Sequence, residues 1–261
     1  MFSLELECKQ EERDLLIAEL WEQGSSGIQE SDAGNRLRAF FDDDADPIAL
    51  AMYFDAYPLT WRDEAALDWV EIANAKLTPM LAGERFFLVP QWRDDPTPPG
   101  RLRIGVNSGL AFGTGAHEST QLCLESLERT VKPGITVLDV GAGSGILSQA
   151  ARLLGAGRVI ACDIDPTAVE VARANEVACF VGSAQAVKAD TADIIVANIS
   201  PEAIRELAQE ILRCLAPGGL AIASGFENHE TGEVTRAIEA AGGRVRESHS
   251  KGNWSAILFS A

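Results

Sequence analysis

No feature of this chain restricts its fold as strongly as residues 136–165, TVLDVGAGSGILSQAARLLGAGRVIACDID. Val137 to Val140 is an apolar run too short for a helix and too apolar for a surface loop, which predicts a buried parallel strand. Gly141, Gly143 and Gly145 follow it; without Cβ atoms they let the backbone turn sharply and come close to a ligand. The spacing of Ile146, Leu147, Ala150, Leu153 and Leu154 predicts a helix, and Arg158 to Cys162 a second strand that ends at the acids Asp163 and Asp165. A carboxylate at that tip can accept hydrogen bonds from both hydroxyls of a ribose, with the nucleoside lying across the strand ends of a doubly wound sheet. The segment reads as a nucleoside-binding βαβ unit. The competing reading is a tight strand-to-helix turn in an unrelated α/β domain.

The glycine spacing narrows the ligand. A dinucleotide fingerprint has a third glycine three residues after the second, beside the pyrophosphate; here that place is Ile146 and the pattern is G-A-G-S-G. This favours a cofactor without phosphates over a nicotinamide dinucleotide. Strand, G-x-G-x-G and an acid at the next strand tip resemble the class I S-adenosylmethionine-dependent methyltransferases, which would give Gly141, Gly143 and Asp163 to the cofactor.

A second informative stretch, GLAFGTGAHEST at 109–120, combines three glycines with Phe112, Thr114 and His117 and predicts a partly apolar loop leading into a helix over Ser119 to Arg129. In a methyltransferase fold that helix lies beside the cofactor site. The resemblance therefore implies that Thr120 and His117 face the ligand and that Phe112 covers it. His117 has a second reading, as the cap of its helix. Farther on, Asp193 to Asn198 predicts a buried strand with a polar residue at its carboxyl tip, where such sheets place their chemistry. The carbonyl oxygen of Asn198 can accept a hydrogen bond from an incoming amine and hold its lone pair in line. Its alternative is to cap the helix beginning at Pro201.

The remaining pattern is regular. Phe2 to Cys8 alternates as a strand; Glu11 to Trp21 predicts a helix with Leu16, Leu20, Ile17 and Trp21 on one side; Gly27 to Glu30 and Leu37 to Phe41 read as strands around the turn 32–35; Pro47 to Phe54 begins a second helix. That makes a small α+β domain over residues 1–60. Residues 61–100 read as an interdomain helix (Glu64 to Leu77), a strand (Phe86 to Val89) and a stiff proline-rich loop, and residues 101–261 as the cofactor-binding domain. After Asn198 follow a helix through Ile204, Leu207, Ile211 and Leu215, a Pro217-Gly218-Gly219 turn, a strand over Leu220 to Ser224, a helix over Glu233 to Ala241, and a closing antiparallel pair.

Charge is uneven: the chain carries −17, and residues 1–85, with 19 acidic and 7 basic side chains, hold −12 of it. Such a field repels nucleic acid and anionic membranes and attracts a cationic partner such as a basic protein; its plainer reading is solubility. The Asp42, Asp43, Asp44 and Asp46 run is likewise either a solvated loop or part of a docking face. No apolar run reaches the ~18 residues of a membrane span, and the acid-bearing start MFSLELEC is unlike a signal peptide, so a cytoplasmic location is expected. The five cysteines are scattered, with no C-x-x-C pair and no histidine at metal-ligand spacing, and read as buried thiols.

Taken together, GLAFGTGAHEST, VLDVGAGSGIL, DIDP at 163–166 and VANI at 196–199, with GERFFLVPQW upstream, closely resemble the ribosomal protein L11 methyltransferases. The resemblance runs from about Trp69 to the end of the chain; the amino-terminal third matches in size and layout. It implies a seven-stranded methyltransferase sheet with a small ferredoxin-like amino-terminal domain, and a monomer. It also implies transfer of methyl groups from S-adenosylmethionine to lysine side chains and the α-amino group of one basic ribosomal protein captured by that domain. The family's cofactor contacts fall on Thr120, Gly141, Asp163 and Asn198. One departure is a segment several residues shorter between Asn175 and Asp193, where Phe180, Val181 and Gly182 are expected to form the third strand. For the proton of a lysine amine, His117, Asp163 and water are all candidates. A different protein lysine as target, a nicotinamide-dependent oxidoreductase and a non-catalytic binding module are the alternatives.

Overall fold

The computed structural model describes residues 1–9, 12–31, 35–43, 45–63, 78–106 and 115–261. The expected helix at 64–77, Trp69, and the loop that carries Phe112 lie outside them. Residue contacts divide the chain into a unit spanning Met1–Ile72 and one spanning Ala73–Ala261.

The amino-terminal unit contains β1 (Phe2–Glu7), α1 (Arg13–Glu22), β2 (Gly27–Glu30), β3 (Arg36–Phe41), α2 (Pro47–Tyr53) and β4 (Leu59–Asp63). The sheet order is β2-β3-β1-β4 with every pairing antiparallel, the split βαβ arrangement of ferredoxin-like folds. Strand alternation builds its core: Phe2, Leu4 and Leu6 from β1 and Leu37, Ala39 and Phe41 from β3 pack with Leu16 and Leu20 of α1 and with Leu50 and Phe54. Trp21, expected on the buried side of α1, is 52% exposed, because the Ile17–Trp21 row lies at the margin of the stripe centred on Leu16 and Leu20. Asp46 begins α2, its carboxylate accepting from the amides of Ile48 (2.9 Å) and Ala49 (3.2 Å), with Pro47 in the first turn.

The carboxy-terminal unit opens with a small sheet, β5 (Met80–Ala82), β6 (Phe86–Pro90) and β7 (Leu102–Val106), in which β6 and β7 run parallel. Then come α3 (Glu118–Thr130), β8 (Thr136–Val140), α4 (Ile146–Leu153), β9 (Arg158–Asp163), α5 (Pro166–Ala174), β10 (Cys179–Val181), β11 (Ala192–Asn198), α6 (Pro201–Cys214), β12 (Leu215–Glu227), α7 (Thr231–Ala240), β13 (Arg244–Lys251) and β14 (Trp254–Ser260). They form a seven-stranded sheet in the order β10-β9-β8-β11-β12-β14-β13; β10 to β12 are parallel and β14 and β13 antiparallel. The order reverses between β8 and β11, so both strands end at the switch-point crevice.

Burial on both faces explains the apolar runs. In β11, Ile195 and Ala197 pack with Ile204 and Ile211 of α6 and Val234 and Ile238 of α7, while Ile194 and Val196 pack on the other face with Leu124 and Leu127 of α3 and Leu147 of α4. The Pro217-Gly218-Gly219 turn lies within β12, as an irregularity between the Ala192–Leu215 and Ile194–Leu220 pairs. Four of the five cysteines are buried and Cys8 is half-buried.

Candidate functional site

Three connections leave the carboxyl edge of the parallel sheet beside the switch point. The first runs from β8 into α4. Gly141 (φ +73°) and Gly145 (φ +79°) adopt left-handed backbone, and a Cβ would lie 2.2 Å from Ile199 Cγ2 at the former and 2.7 Å from Val177 Cγ2 at the latter. Both conformation and space therefore demand glycine. The second is the tip of β9. Asp163 accepts the Gly143 amide at 2.8 Å and the Asp165 amide at 3.0 Å, so its carboxylate is fixed against the glycine turn. Asp165 has a separate task, capping α5 by accepting from Thr167 N at 2.8 Å.

The third is the tip of β11. Asn198 donates from Nδ2 to Thr120 Oγ1 at 3.2 Å, joining two expected site residues 78 positions apart. Asn198 is not the cap of α6; Ser200 is, accepting from Ala203 N at 3.3 Å. His117 caps α3, its Nδ1 3.3 Å from Ser119 N and 2.7 Å from Ser119 Oγ, and its ring meets Trp254 edge to face at 4.3 Å. The structure thus brings together Gly141, Gly143 and Asp163 on one side and Thr120 and Asn198 on the other, with His117 one helical turn from Thr120. Phe112 lies outside the described residues. Strand β8 separates β9 from β11, which puts about 10 Å between the tips of Asp163 and Asn198.

Sequence reasoning missed three features of this edge. Ile164 is 80% exposed between the two acids, and Val181, 55% exposed, sits in register beside Asp163. With the carboxylate they give an acceptor for sugar hydroxyls flanked by apolar surface for a flat base, which fits a nucleoside. An isoleucine between acids was the available signal. Asp139 is the second: it is fully buried within β8, and Ser148 Oγ donates to Oδ2 at 2.7 Å while Oδ1 has no partner. Burial pushes its carboxyl up to about 6, with Ser148 pulling the other way. Burial first, and this carboxylate second, raise the thiols of Cys123, Cys162 and Cys179. The lone acid in an apolar strand marked it. Trp254 is the third.

A family model described as "Ribosomal protein L11 methyltransferase (PrmA)" matches residues 11–261. A protein of that name from Pelotomaculum thermopropionicum is 44% identical over 210 residues, covering 77% of this chain and 68% of its own length. One from Cupriavidus necator is 37% identical over 228 residues, covering 82% and 76%. A solved structure of a ribosomal protein L11 methylase from Lactobacillus delbrueckii subsp. bulgaricus superposes with a TM-score of 0.66 at 30% identity, covering 70% of this chain and 98% of that one.

Proposed function

The chain belongs to the ribosomal protein L11 methyltransferase family, and on that premise we propose that it methylates lysine side chains and the α-amino group of a basic ribosomal protein of the L11 type. The hydrogen bond between Asn198 and Thr120 carries this reading. With its nitrogen engaged by Thr120, the Asn198 amide offers its oxygen to an amine at the sheet's carboxyl edge. Bound S-adenosylmethionine supplies a methyl group already activated on a sulfonium.

In this reading Gly141 and Gly143 keep the backbone close to the cofactor, Asp163 accepts the ribose hydroxyls, Ile164 and Val181 flank the adenine, and Thr120 and Asn198 border the reacting end, with Phe112 over them. Asn198 orients the amine, and alignment with exclusion of water contributes ~7–11 kcal/mol in favourable cases. Asp163, about two strand spacings from Asn198, is too far to take the amine's proton. His117 has Nδ1 engaged as a cap, so proton transfer there would use Nε2; otherwise water takes the proton. The acidic first third, −12 over residues 1–85, supplies attraction for a basic protein, and the enzyme acts as a cytoplasmic monomer.

The test is methyl transfer from radiolabelled S-adenosylmethionine into a cell extract resolved on a gel, with purified ribosomal protein L11 alongside. One small basic labelled band that co-migrates with L11 is expected. Label in a different protein would move the target to another lysine, and label confined to RNA or small molecules would end the ribosomal-protein reading. Asn198→Ala should lower turnover roughly 100-fold with cofactor affinity within about 3-fold.

A further inference from the structure

The glycine turn between β8 and α4 is braced by side chains that lie outside those two elements. Ser144 is buried within the turn, and its backbone carbonyl accepts from Asn175 Nδ2 at 2.9 Å. Asn175 ends α5. The next residue, Glu176, takes left-handed backbone (φ +61°), uncommon for a residue with a side chain, and Val177 then stands where it bars any side chain at Gly145. Two consecutive residues of the turn, Ser144 and Gly145, thus rest on one short stretch of chain, 175–177.

The other end of the Asn175 amide leads to the small sheet. Its Oδ1 accepts from Gln91 Nε2 at 3.0 Å. Gln91 follows β6, and its backbone amide donates to Val106 O at 3.0 Å, which fixes it to the end of β7. The Gln91 side chain passes over Gly105, where a Cβ would lie 3.1 Å from Gln91 Cγ, so the glycine within β7 leaves this path open. A carbonyl oxygen only accepts; Asn175 must therefore present its nitrogen to Ser144 and its oxygen to Gln91, and Gln91 must present its own nitrogen. Leu88 of β6 adds an apolar tie, sharing a core cluster with Ile146, the first residue of α4.

We infer that Asn175 and Gln91 are positioning residues for the cofactor: through the Ser144 carbonyl they hold the glycine turn in its receiving shape and so link cofactor affinity to the small sheet. This rests on the reading of the carboxyl edge as the S-adenosylmethionine site. A turn that becomes ordered only on binding loses affinity to that ordering, whereas one held in advance does not. The effect falls on cofactor binding and not on methyl transfer, since neither residue belongs to the reacting end. The bond to Ser144 is partly buried and the bond from Gln91 is exposed to water, so the first has the larger effect.

The test is calorimetric titration of full-length variants with S-adenosylmethionine, alongside steady-state kinetics. Asn175 has negative-φ backbone (−87°), which other side chains adopt without strain. Asn175→Asp keeps the shape and the bond from Gln91 but sets a carboxylate oxygen against the Ser144 carbonyl. It should bind the cofactor about 10-fold more weakly, as should Asn175→Ala, with kcat at saturating cofactor within about 2-fold. A role in packing alone would spare the isosteric aspartate, so wild-type affinity in Asn175→Asp would overturn the inference, as would a fall in kcat at unchanged affinity. Gln91→Ala alters only an exposed side chain; it should weaken binding about 3-fold in the wild-type background and have no further effect on top of Asn175→Ala. Equal losses in both backgrounds, or none in either, would overturn the link to the small sheet. A wild-type protein that takes up no S-adenosylmethionine would instead strike the reading of the site beneath it.

Discussion

The two sheets of this protein meet water on different terms. In β1 of the amino-terminal sheet Phe2, Leu4 and Leu6 enter the core, while Ser3, Glu5 and Glu7 point to the opposite face, where Glu5 stands across from Arg38 with Arg36 at 3.7 Å and Arg62 at 3.9 Å. In β11 both faces are apolar and covered by helices. An antiparallel sheet whose crossing helices both pack on one face can leave polar side chains on the other; a parallel sheet, crossed by helices on both sides, cannot. The larger sheet is thus left only its edge for chemistry, while the smaller one carries Glu5, Glu7 and Arg36 on its other face, beside the buried Ser3 and Phe40.

Substitutions that probe each sheet should separate accordingly. Ile195→Ala, in the doubly covered strand, should cost ~2–5 kcal/mol of stability in chemical denaturation; a loss below 1 kcal/mol would mean the strand is not packed on both faces. Asp163→Ala, at the edge, should weaken cofactor binding roughly 100-fold by calorimetry, about 3 kcal/mol, and leave the melting temperature of the cofactor-free protein within a few degrees. Unchanged affinity would remove Asp163 from the cofactor site.

Asp139→Asn sharpens the contrast through pH. The buried acid of the folded protein keeps its proton up to about pH 6, while the unfolded chain releases it near the ordinary carboxylate value of 3.8. Between those values the fold binds more protons than the unfolded chain, so stability falls as pH rises through the window, and the full penalty is present above it. The asparagine variant lacks that slope and should gain on the wild type by about 2–3 kcal/mol between pH 4 and 7. Parallel stability curves would rule this out. Smallest of all, Glu5→Gln on the charged face should change stability by ~1 kcal/mol or less, since exposed arginines pair with it across screened distances. A cost comparable to that of Ile195→Ala would break the comparison.

What could be read from the sequence follows the same division. Strands β8, β9 and β11 stood out because double burial makes them continuous apolar runs, and the glycine turn, Asp163 and Asn198 follow from what a strand tip at a switch point needs. Strand β4 escaped because Leu59–Asp63 runs straight into a helical pattern; β5 is three residues long; and Arg103 and Gly105 interrupt the apolar run of β7. The bond between Asn198 and Thr120 joins distant residues, and only topology brings them together. Trp254 was invisible for the same reason: its ring meets that of His117 from a distant part of the chain, which no local pattern encodes.

The cysteines give the protein a chemical handle. Burial raises all five thiols, and Cys123, Cys162, Cys179 and Cys214 are also shut away from reagents, whereas Cys8 in the amino-terminal unit is only half-buried. A maleimide dye at mildly alkaline pH should therefore mark one unit of the native protein and spare the other, giving a fluorescent label on that unit with no engineered residue. Peptide mapping of the labelled protein should find the dye on Cys8, and dye on Cys179 would reveal that β10, the edge strand of the larger sheet, opens on the timescale of the labelling reaction.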